Sequence, residues 1–425
     1  MDSNLLFTSA LGLQAPWQVT DIRFEQEQGE IHFDLACEAK RLNCPACQQT
    51  DQPIHDRVPR TWQHLHFFQY KAFLHASLPR VKCGHCKKVT QVGVPWARPG
   101  SGFTLLMDAL VLTLARKLPV SAIARLFDVS ENRIWRTVNT HVEVARAQAT
   151  YTDVKALGVD EKFVGRRLGY LTIFHDPLDP RTIGIVEGRK ADTFEDFKKD
   201  FIALEGQPDV IEFITMDMSR SFQAGARQQF PNAQICFDAF HVSKLVHDAL
   251  DEVRRSEVKQ EASLKGSRWA LLKSPKDWSL QQLTDMHWLQ RSGLKAARAW
   301  RMKERYKEIH AQCRAGAEPE PLFRAFISWT RRSRLEPFTR LGKTLKAHLP
   351  GILAAYRLGA SNAVAENLNS QIQAAIVRAR GFKSLRNLTN IIFLTTGKLQ
   401  NLPANQSSQL KENRRIGLGP MSGFW

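Results

Sequence analysis

The sequence has no hydrophobic run long enough to cross a bilayer. Its longest apolar stretch, Phe103 to Ala115, is interrupted by Asp108 and falls short of the ~20 residues a membrane helix needs. The opening MDSNLLFTSA lacks the basic start and long apolar core of a secretory leader, so a cytoplasmic protein is expected. No lipidation motif and no basic amphipathic tail is visible, which argues against a membrane partner. The seven cysteines are odd in number. With no leader, they point to metal ligation or buried thiols rather than a disulfide framework. No internal repeat is evident. Acidic residues are the scarcer charge, 42 against 60 Lys and Arg, leaving a net charge of +18. Such an excess favours a polyanionic partner, because Lys and Arg release counterions when they neutralise phosphates. The 425 residues are 43% hydrophobic and 24% charged, which excludes a disordered chain and suggests roughly two to four domains.

The clearest motif present is a pair of cysteine pairs. CPAC places Cys44 and Cys47, and CGHC places Cys83 and Cys86, with 35 residues between the pairs. They follow an apolar–polar alternation over 17–35 around Gly29, a hairpin signal, and enclose the β-like run FFQYKAFLHASL. Two Cys-x-x-Cys pairs on hairpin knuckles make the tetrahedral thiolate site that zinc prefers. Four closed thiolates leave no open position, so this zinc is structural. His85, inside the second knuckle, is not expected to ligate. Cys37 lies seven residues before Cys44 and could replace only one of the four.

Residues 99–150 read as helical. FTLLMDALVLTLARKL is amphipathic. After it, Ser121 is expected to cap a short helix ending near Phe127, DVS to make a turn, and Ser130 to cap a second helix. Ala124 is small where two helices of a helix-turn-helix touch, and Ile134 and Val138 give the second helix an inward face. Asn132, Arg133, Arg136 and Asn139 are placed on its outward face, with side chains that suit base edges or phosphates.

The pattern changes over 156–245. Three short strands, a helix, a strand, a helix and a further strand running into a helix predict a mixed α/β sheet. From about 246 to 346 the chain is helical, basic and rich in tryptophan. Over 251–346 there are 22 Lys and Arg against 11 Asp and Glu, a local excess of +11, which suits a DNA-backbone surface. Of the five tryptophans here, Trp269, Trp278, Trp288, Trp300 and Trp329, most are expected in a core.

Three acids stand out by joint placement. Asp160 lies in the first strand and Asp217 near the end of the fourth. Alternation puts Ile214, Met216 and Met218 on one face and Asp217 on the other. Burying such an acid is expensive unless a positive charge meets it. Glu366 sits in a helix whose Asn362, Glu366, Asn369 and Gln373 make a polar stripe, beside an apolar stripe of Leu368, Ile372, Ala375 and Ala379. On adjacent parallel strands, Asp160 and Asp217 would share a Mg²⁺ ion, with Glu366 arriving from a helix packed across them. Glu161 would point to the opposite face, unless a bulge exchanged it with Asp160.

This order of strands, helices and acids resembles the RNase H-like domain of DDE transposases. The chain from roughly 20 to 400 is similar to transposases of the ISL-three family in its zinc module, helix-turn-helix and long insertion before the glutamate. The resemblance implies six segments: a zinc-binding β-rich module (1–98), a helix-turn-helix domain (99–150), a catalytic domain in two parts (151–245 and 351–400), a helical basic insertion (246–350) and a tail (401–425). It implies Asp160, Asp217 and Glu366 as the catalytic acids that hold Mg²⁺ or Mn²⁺. In FDAFHVSK, Asp238 and His241 resemble an Asp/Cys-x-x-His element of related transposases. His241 then has two readings, a contact to the scissile phosphate or a helix cap. Arg378, Arg380 and Lys383 flank the site and suit DNA-backbone contact. The implied activity is cleavage at the terminal inverted repeats of an insertion sequence and joining of the 3′-OH to target DNA, by a homodimer or higher oligomer on double-stranded DNA. The rivals are a DNA-binding regulator without catalysis and a nuclease of the same fold without strand transfer.

Overall fold

The computed structural model describes residues 2–360 and 363–403, in two compact units, the first formed by the N-terminal chain to Arg146 with the segment after Lys398, the second by Ala147–Lys398. Asn362 of the expected polar stripe, and the expected tail from residue 404 onward, lie outside the described residues.

The first unit opens with α1 (Ser3–Ala10), capped by the Asp2 side chain, which accepts from the Asn4 N–H. A sheet follows, built from β1 (Trp17–Glu25), β2 (Glu30–Cys37), β3 (Arg41–Leu42), β4 (Gln52–Gln63), β5 (Lys71–Lys82) and β6 (Val89–Gln91). The strand order is β1-β2-β5-β4-β3, with β6 on β5. The expected hairpin is β1–β2, turning just before the left-handed Gly29. Alternation along β2 and β5 sends Ile31, Phe33, Leu35, Ala72, Leu74 and Ala76 into one core and Glu30, His32, Phe73 and His75 to the other face. In that core Trp96 meets Trp17 and Trp62 edge to face, at ring separations of 4.9 and 5.7 Å, a preferred aromatic geometry.

Three helices complete the unit: α2 (Leu105–Ala115), α3 (Val120–Phe127) and α4 (Glu131–Ala147). The expected cap at Ser121 is corrected: Pro119 takes the N-cap position and the helix begins at Val120. A proline is at home there, because the first turn of a helix has no carbonyl for its missing N–H. The turn after α3 is held by Asp128, left-handed at φ 52° and paired with Lys71 at 2.8 Å. Ile134 and Val138 are fully buried, as their inward face requires. Beneath them the buried Asp108 accepts from Thr137 and is paired with Arg98 and His141, which satisfies a carboxylate that would otherwise be costly to bury.

In the second unit β7 (Ala156–Phe163), β8 (Tyr170–Asp176) and β9 (Arg181–Glu187) run antiparallel. After α5 (Asp192–Ala203), β10 (Phe213–Met216) joins parallel to β7, and after α6 (Arg220–Gln229), β11 (Gln234–Phe237) joins parallel to β10. The sheet order is β11-β10-β7-β8-β9. Helices α7 (Ala239–Glu257), α8 (Arg268–Leu272), α9 (Leu280–Arg291), α10 (Lys295–Arg314), α11 (Pro319–Arg332) and α12 (Glu336–Ala347) follow, then α13 (Leu349–Arg357), α14 (Ala363–Arg378) and α15 (Leu385–Thr396). One sheet face buries Leu157, Val159, Ile214 and Met216 in a core shared with α5, α6 and the helices from α7 to α12. The other face takes α13 over Ala156 and Phe213, and α14 and α15 over Leu171 and Ile173. Among the described residues, no helix is long and apolar enough to cross a membrane.

The tryptophans of the helical region correct an expectation. Trp269, Trp288 and Trp329 are exposed, at 60, 47 and 40%. Only Trp278 and Trp300 pack inward, with rings 5.9 Å apart. On the three helices that carry the exposed indoles, the inward positions are held by Ala270 and Leu271, by Met286 and Leu289, and by Phe326 and Ile327, which leaves the tryptophans on the outer faces.

Candidate active site and metal centres

Register decides which side chains share a face with Asp160. Asp160 lies directly opposite Ile173, and directly opposed residues project to the same side of a sheet. Ile173 is buried against Ile372 of α14, so Asp160 faces α14. On the neighbouring parallel strand Thr215 is level with Gly158. Asp217 follows one residue past the end of β10, and its charge reaches Asp160, His241 and Glu161. Glu161, opposite Thr172, takes the other face.

On α14, Ala365, Leu368, Ile372 and Ala375 are buried. Glu366, Asn369, Ser370 and Gln373 turn into a cleft of about 360 Å³, lined also by Asp160, Lys162, Asp238, Phe240 and His241. The Asn369 side-chain amide donates to Asp160, and the Glu161 N–H donates to its other carboxylate oxygen at 2.8 Å. Burial holds the Asp160 carboxyl above its ordinary range, and the charge of Asp217 adds to the effect. Asp217 accepts the Ser219 N–H at 2.9 Å. Asp238 caps α7 through the Phe240 N–H and stands 2.9 Å from Nδ1 of His241. That contact raises the His241 pKa, and Asp217 and Asp160 raise it further. The helix cap is therefore Asp238, while His241 lines the cleft.

The cleft thus gathers Asp160, Glu366 and His241, with Asp217 close enough to act on Asp160 and His241. Among the described residues, these acids are not drawn within 4.8 Å of one another as a set; the groups that are so drawn are the four cysteines and Glu25–Glu30–His32. Lys162 and Phe240 were not singled out in the sequence. Lys162 was within reach of the same reasoning, two residues from Asp160 on one strand face. Phe240 had no sequence signal apart from its place beside His241. Arg378 ends α14, and Arg380, left-handed at φ 55°, and Lys383 lie beyond it, all three exposed.

Cys44, Cys47, Cys83 and Cys86 converge from two knuckles of one conformation. In each, the first cysteine carbonyl accepts from the residue four on, Gln48 or Lys87, and both acceptor turns place that residue at φ 60°. Sγ atoms stand 3.8 Å apart for Cys44–Cys86 and 3.6 Å for Cys47–Cys83. Backbone N–H groups of Cys86 and His85 bring the Cys83 thiol down to about 6, toward the thiolate a metal binds. Four sulfurs from two matched knuckles suit a structural tetrahedral ion.

On α4 the expected DNA-facing set divides. Asn132 and Arg136 are exposed. Asn139 is buried, at 7% exposure. Arg133 turns inward, stacks its guanidinium 3.9 Å from the Phe103 ring centroid and donates to the Gly102 carbonyl. The two corrections have separate causes: 139 sits next to the buried Val138 on the side where the helix packs, and Arg133 is drawn to an aromatic face and to the Gly102 carbonyl, which also accepts from the Gln63 N–H.

Residues 157–392 match a family described as transposase, of the DDE and ISL3 type. Residues 93–142 match the helix-turn-helix domain of transposase family ISL3, and 40–86 match the zinc-finger of transposase IS204/IS1001/IS1096/IS1165. The chain is similar to the transposase for insertion sequence element IS1557 of Mycobacterium tuberculosis, 27% identical over 95% of this chain and 98% of that protein. It is also similar to the transposase for insertion sequence element IS1001 of Bordetella parapertussis, 24% identical over 86% of this chain and 93% of that one.

Proposed function

The chain belongs to the ISL3 family of transposases, and from that premise we propose that its catalytic centre is the cleft between β7 and α14, with Asp160, Asp217 and Glu366 as the acids that hold the reaction's divalent ions. The protein is an insertion-sequence transposase. Its five-stranded sheet, with three antiparallel strands followed by two parallel ones, is the RNase H-like core, and the helices from α7 to α12 are the insertion. The observation that carries this reading is the shared face: Asp160 and the strand leading to Asp217 lie side by side on it, and α14 lays Glu366 and Asn369 across.

A cation fits these donors. Asp160 is largely buried, held above its ordinary range and next to a second acid, a charge pattern that a divalent ion relieves. Magnesium or manganese ions, when bound, supply Lewis-acid stabilisation of charge on the attacking and leaving oxygens of phosphodiester cleavage and of 3′-OH joining. The chain's own residues orient the rest. Asn369 and the Glu161 N–H fix the two oxygens of Asp160, and the Ser219 N–H fixes Asp217. Asp238 holds His241 and favours its cation, which suits contact with a phosphate oxygen of the cleaved strand.

Zinc is the ion for the four cysteines, and the ribbon with the helix-turn-helix binds the terminal inverted repeats. Asn132 and Arg136 remain the α4 side chains that suit DNA contact, and Arg378, Arg380 and Lys383 suit the backbone beside the cleft. Work on two transposon ends needs at least two protomers, and the compartment is the bacterial cytoplasm. The test is a plasmid bearing the element's ends, with Mg²⁺ or Mn²⁺, against wild type and Glu366→Gln. Cleavage and joining should fall about 100-fold or more in the variant, equivalent to about 2.7 kcal/mol of transition-state stabilisation, while binding to the ends persists. Equal activity in both proteins would overturn the three-acid site.

A further inference from the structure

The first unit carries a second group of ligating side chains, away from the cysteines and on the face of the sheet opposite its apolar core. Glu25 and Glu30 close the β1–β2 hairpin as a directly opposed cross-strand pair. Like charges in that position repel and destabilise a hairpin. His32, two residues along β2, shares their face. Its ring is stacked 5.4 Å from Phe73 and its side chain is only 12% exposed.

The ring is oriented from behind. Nδ1 of His32 stands 2.9 Å from Nε2 of His75, and Nδ1 of His75 stands 2.9 Å from the Thr61 hydroxyl. In the tautomer in which His32 donates from Nδ1 to His75 and His75 donates from Nδ1 to Thr61, the Nε2 lone pair of His32 faces Glu25 and Glu30. That Nε2 is fully buried and has no hydrogen-bond partner. It stands 3.6 Å from Glu25 and 3.4 Å from Glu30.

These separations suit a shared ion. Two ligand atoms each about 2.1 Å from one ion at the tetrahedral angle stand about 3.4 Å apart. The ligating atoms of all three residues lie within 4.8 Å of one another. One imidazole backed by a second, with two carboxylates, is a donor set for a divalent transition metal.

We propose that Glu25, Glu30 and His32 bind a divalent transition-metal ion of the zinc type, separate from the cysteine site, with His75 as the positioning residue behind His32. The ion neutralises the opposed glutamates and staples the hairpin to β5 through His75. It is independent of the catalytic reading.

The test equilibrates the full-length chain with excess zinc in the presence of excess magnesium, removes free metal by gel filtration, and counts zinc per chain by mass spectrometry. Glu30→Gln and His32→Gln should each hold one zinc fewer than wild type. The cobalt-substituted forms of both variants should keep the thiolate-to-cobalt absorption of the four-cysteine site. Glu30 is partly exposed, so its substitution leaves the fold intact and guards against loss of structure as the cause. Unchanged zinc content in both variants overturns the proposal and assigns the site to a protonated His32. Loss of the cobalt–thiolate band together with the zinc also overturns it, since the cysteine site would then be the source.

Discussion

Ile372→Ala tests whether packing under α14 is what delivers Glu366 to the cleft. Ile372 is fully buried, in contact with Leu171 and Ile173 of the sheet and with Leu388 and Ile392 of α15. The substitution removes three carbons, a transfer loss of about 2.4 kcal/mol at ~0.8 kcal/mol each. A residual cavity of about 60 Å³ adds about 1.4 kcal/mol at ~24 cal/mol per Å³. The sum, about 4 kcal/mol, falls within the range of about 2–5 kcal/mol for Ile→Ala in cores. Among the described residues of this helix Ala365, Leu368 and Ala375 share its burial, so the loss falls on α14 itself. Amide exchange should show α14 opening about 1,000-fold more readily, the tenfold per 1.36 kcal/mol equivalence applied three times, with α5 on the other face unchanged. Strand cleavage should fall in parallel, and Ile372→Val should sit close to wild type. Equal loss of protection in α14 and α5, or full cleavage activity with α14 detached, would refute the reasoning.

Asp160→Asn should raise stability in metal-free buffer. The folded pKa of Asp160 is raised by burial, so its contribution is present in full below the ordinary carboxylate range and is lost as pH rises through the folded value. The wild type should therefore be less stable than the variant at neutral pH and match it in acid, in denaturant titrations at each pH, while added Mg²⁺ stabilises only the wild type. Gly158→Ala should destabilise the second unit by about 1–3 kcal/mol, the usual range for overpacking, because a β carbon there would stand 2.0 Å from Nε2 of the buried His175. Thermal melts would check this, with end binding by the first unit unaffected. Cys83→Ser should release the ion of the four-cysteine site, read as lost zinc by metal analysis, and abolish binding to the element's ends in a mobility-shift assay.

Much of this arrangement was legible because it is written in local periodicity. The eight elements from β7 to α7, the two Cys-x-x-Cys pairs and the polar stripe of α14 each depend on spacing within one element, and spacing is visible in a sequence. What was missed depends on other elements. Asn139 looks outward on composition alone, yet it sits beside Val138, where α4 packs, and is buried. Arg133 is a DNA-facing residue by type, but Phe103 and Gly102, some thirty residues earlier, offer it a ring face and a carbonyl. The tryptophans failed for the same reason: an indole is core or surface according to which face of its helix meets a neighbour, and on α8, α9 and α11 that face belongs to Leu271, Leu289 and Phe326. Asp160 was preferred over Glu161 from alternation alone, and pairing with β8 supplies the register that puts it on the α14 face.

The three acids differ in what holds them, and that difference can be measured. Asp160 and Asp217 are fixed by backbone: each has a carboxylate oxygen on a nearby N–H, from Glu161 and Ser219, with Asp160 inside β7 and Asp217 one residue past the end of β10. Glu366 is placed by the packing of its helix, where among the described residues Ala365, Leu368, Ile372 and Ala375 are buried. If Ile372 matters to catalysis solely by placing Glu366, its substitution has nothing further to remove once Glu366 is gone. In a double-mutant cycle, Ile372→Ala should lower cleavage strongly in the wild-type background and hardly at all in Glu366→Gln, leaving a coupling energy close to the whole effect of Ile372→Ala. Independent, additive losses would mean that α14 serves the reaction through another residue of the same face, with Asn369, the donor to Asp160, as the first to examine.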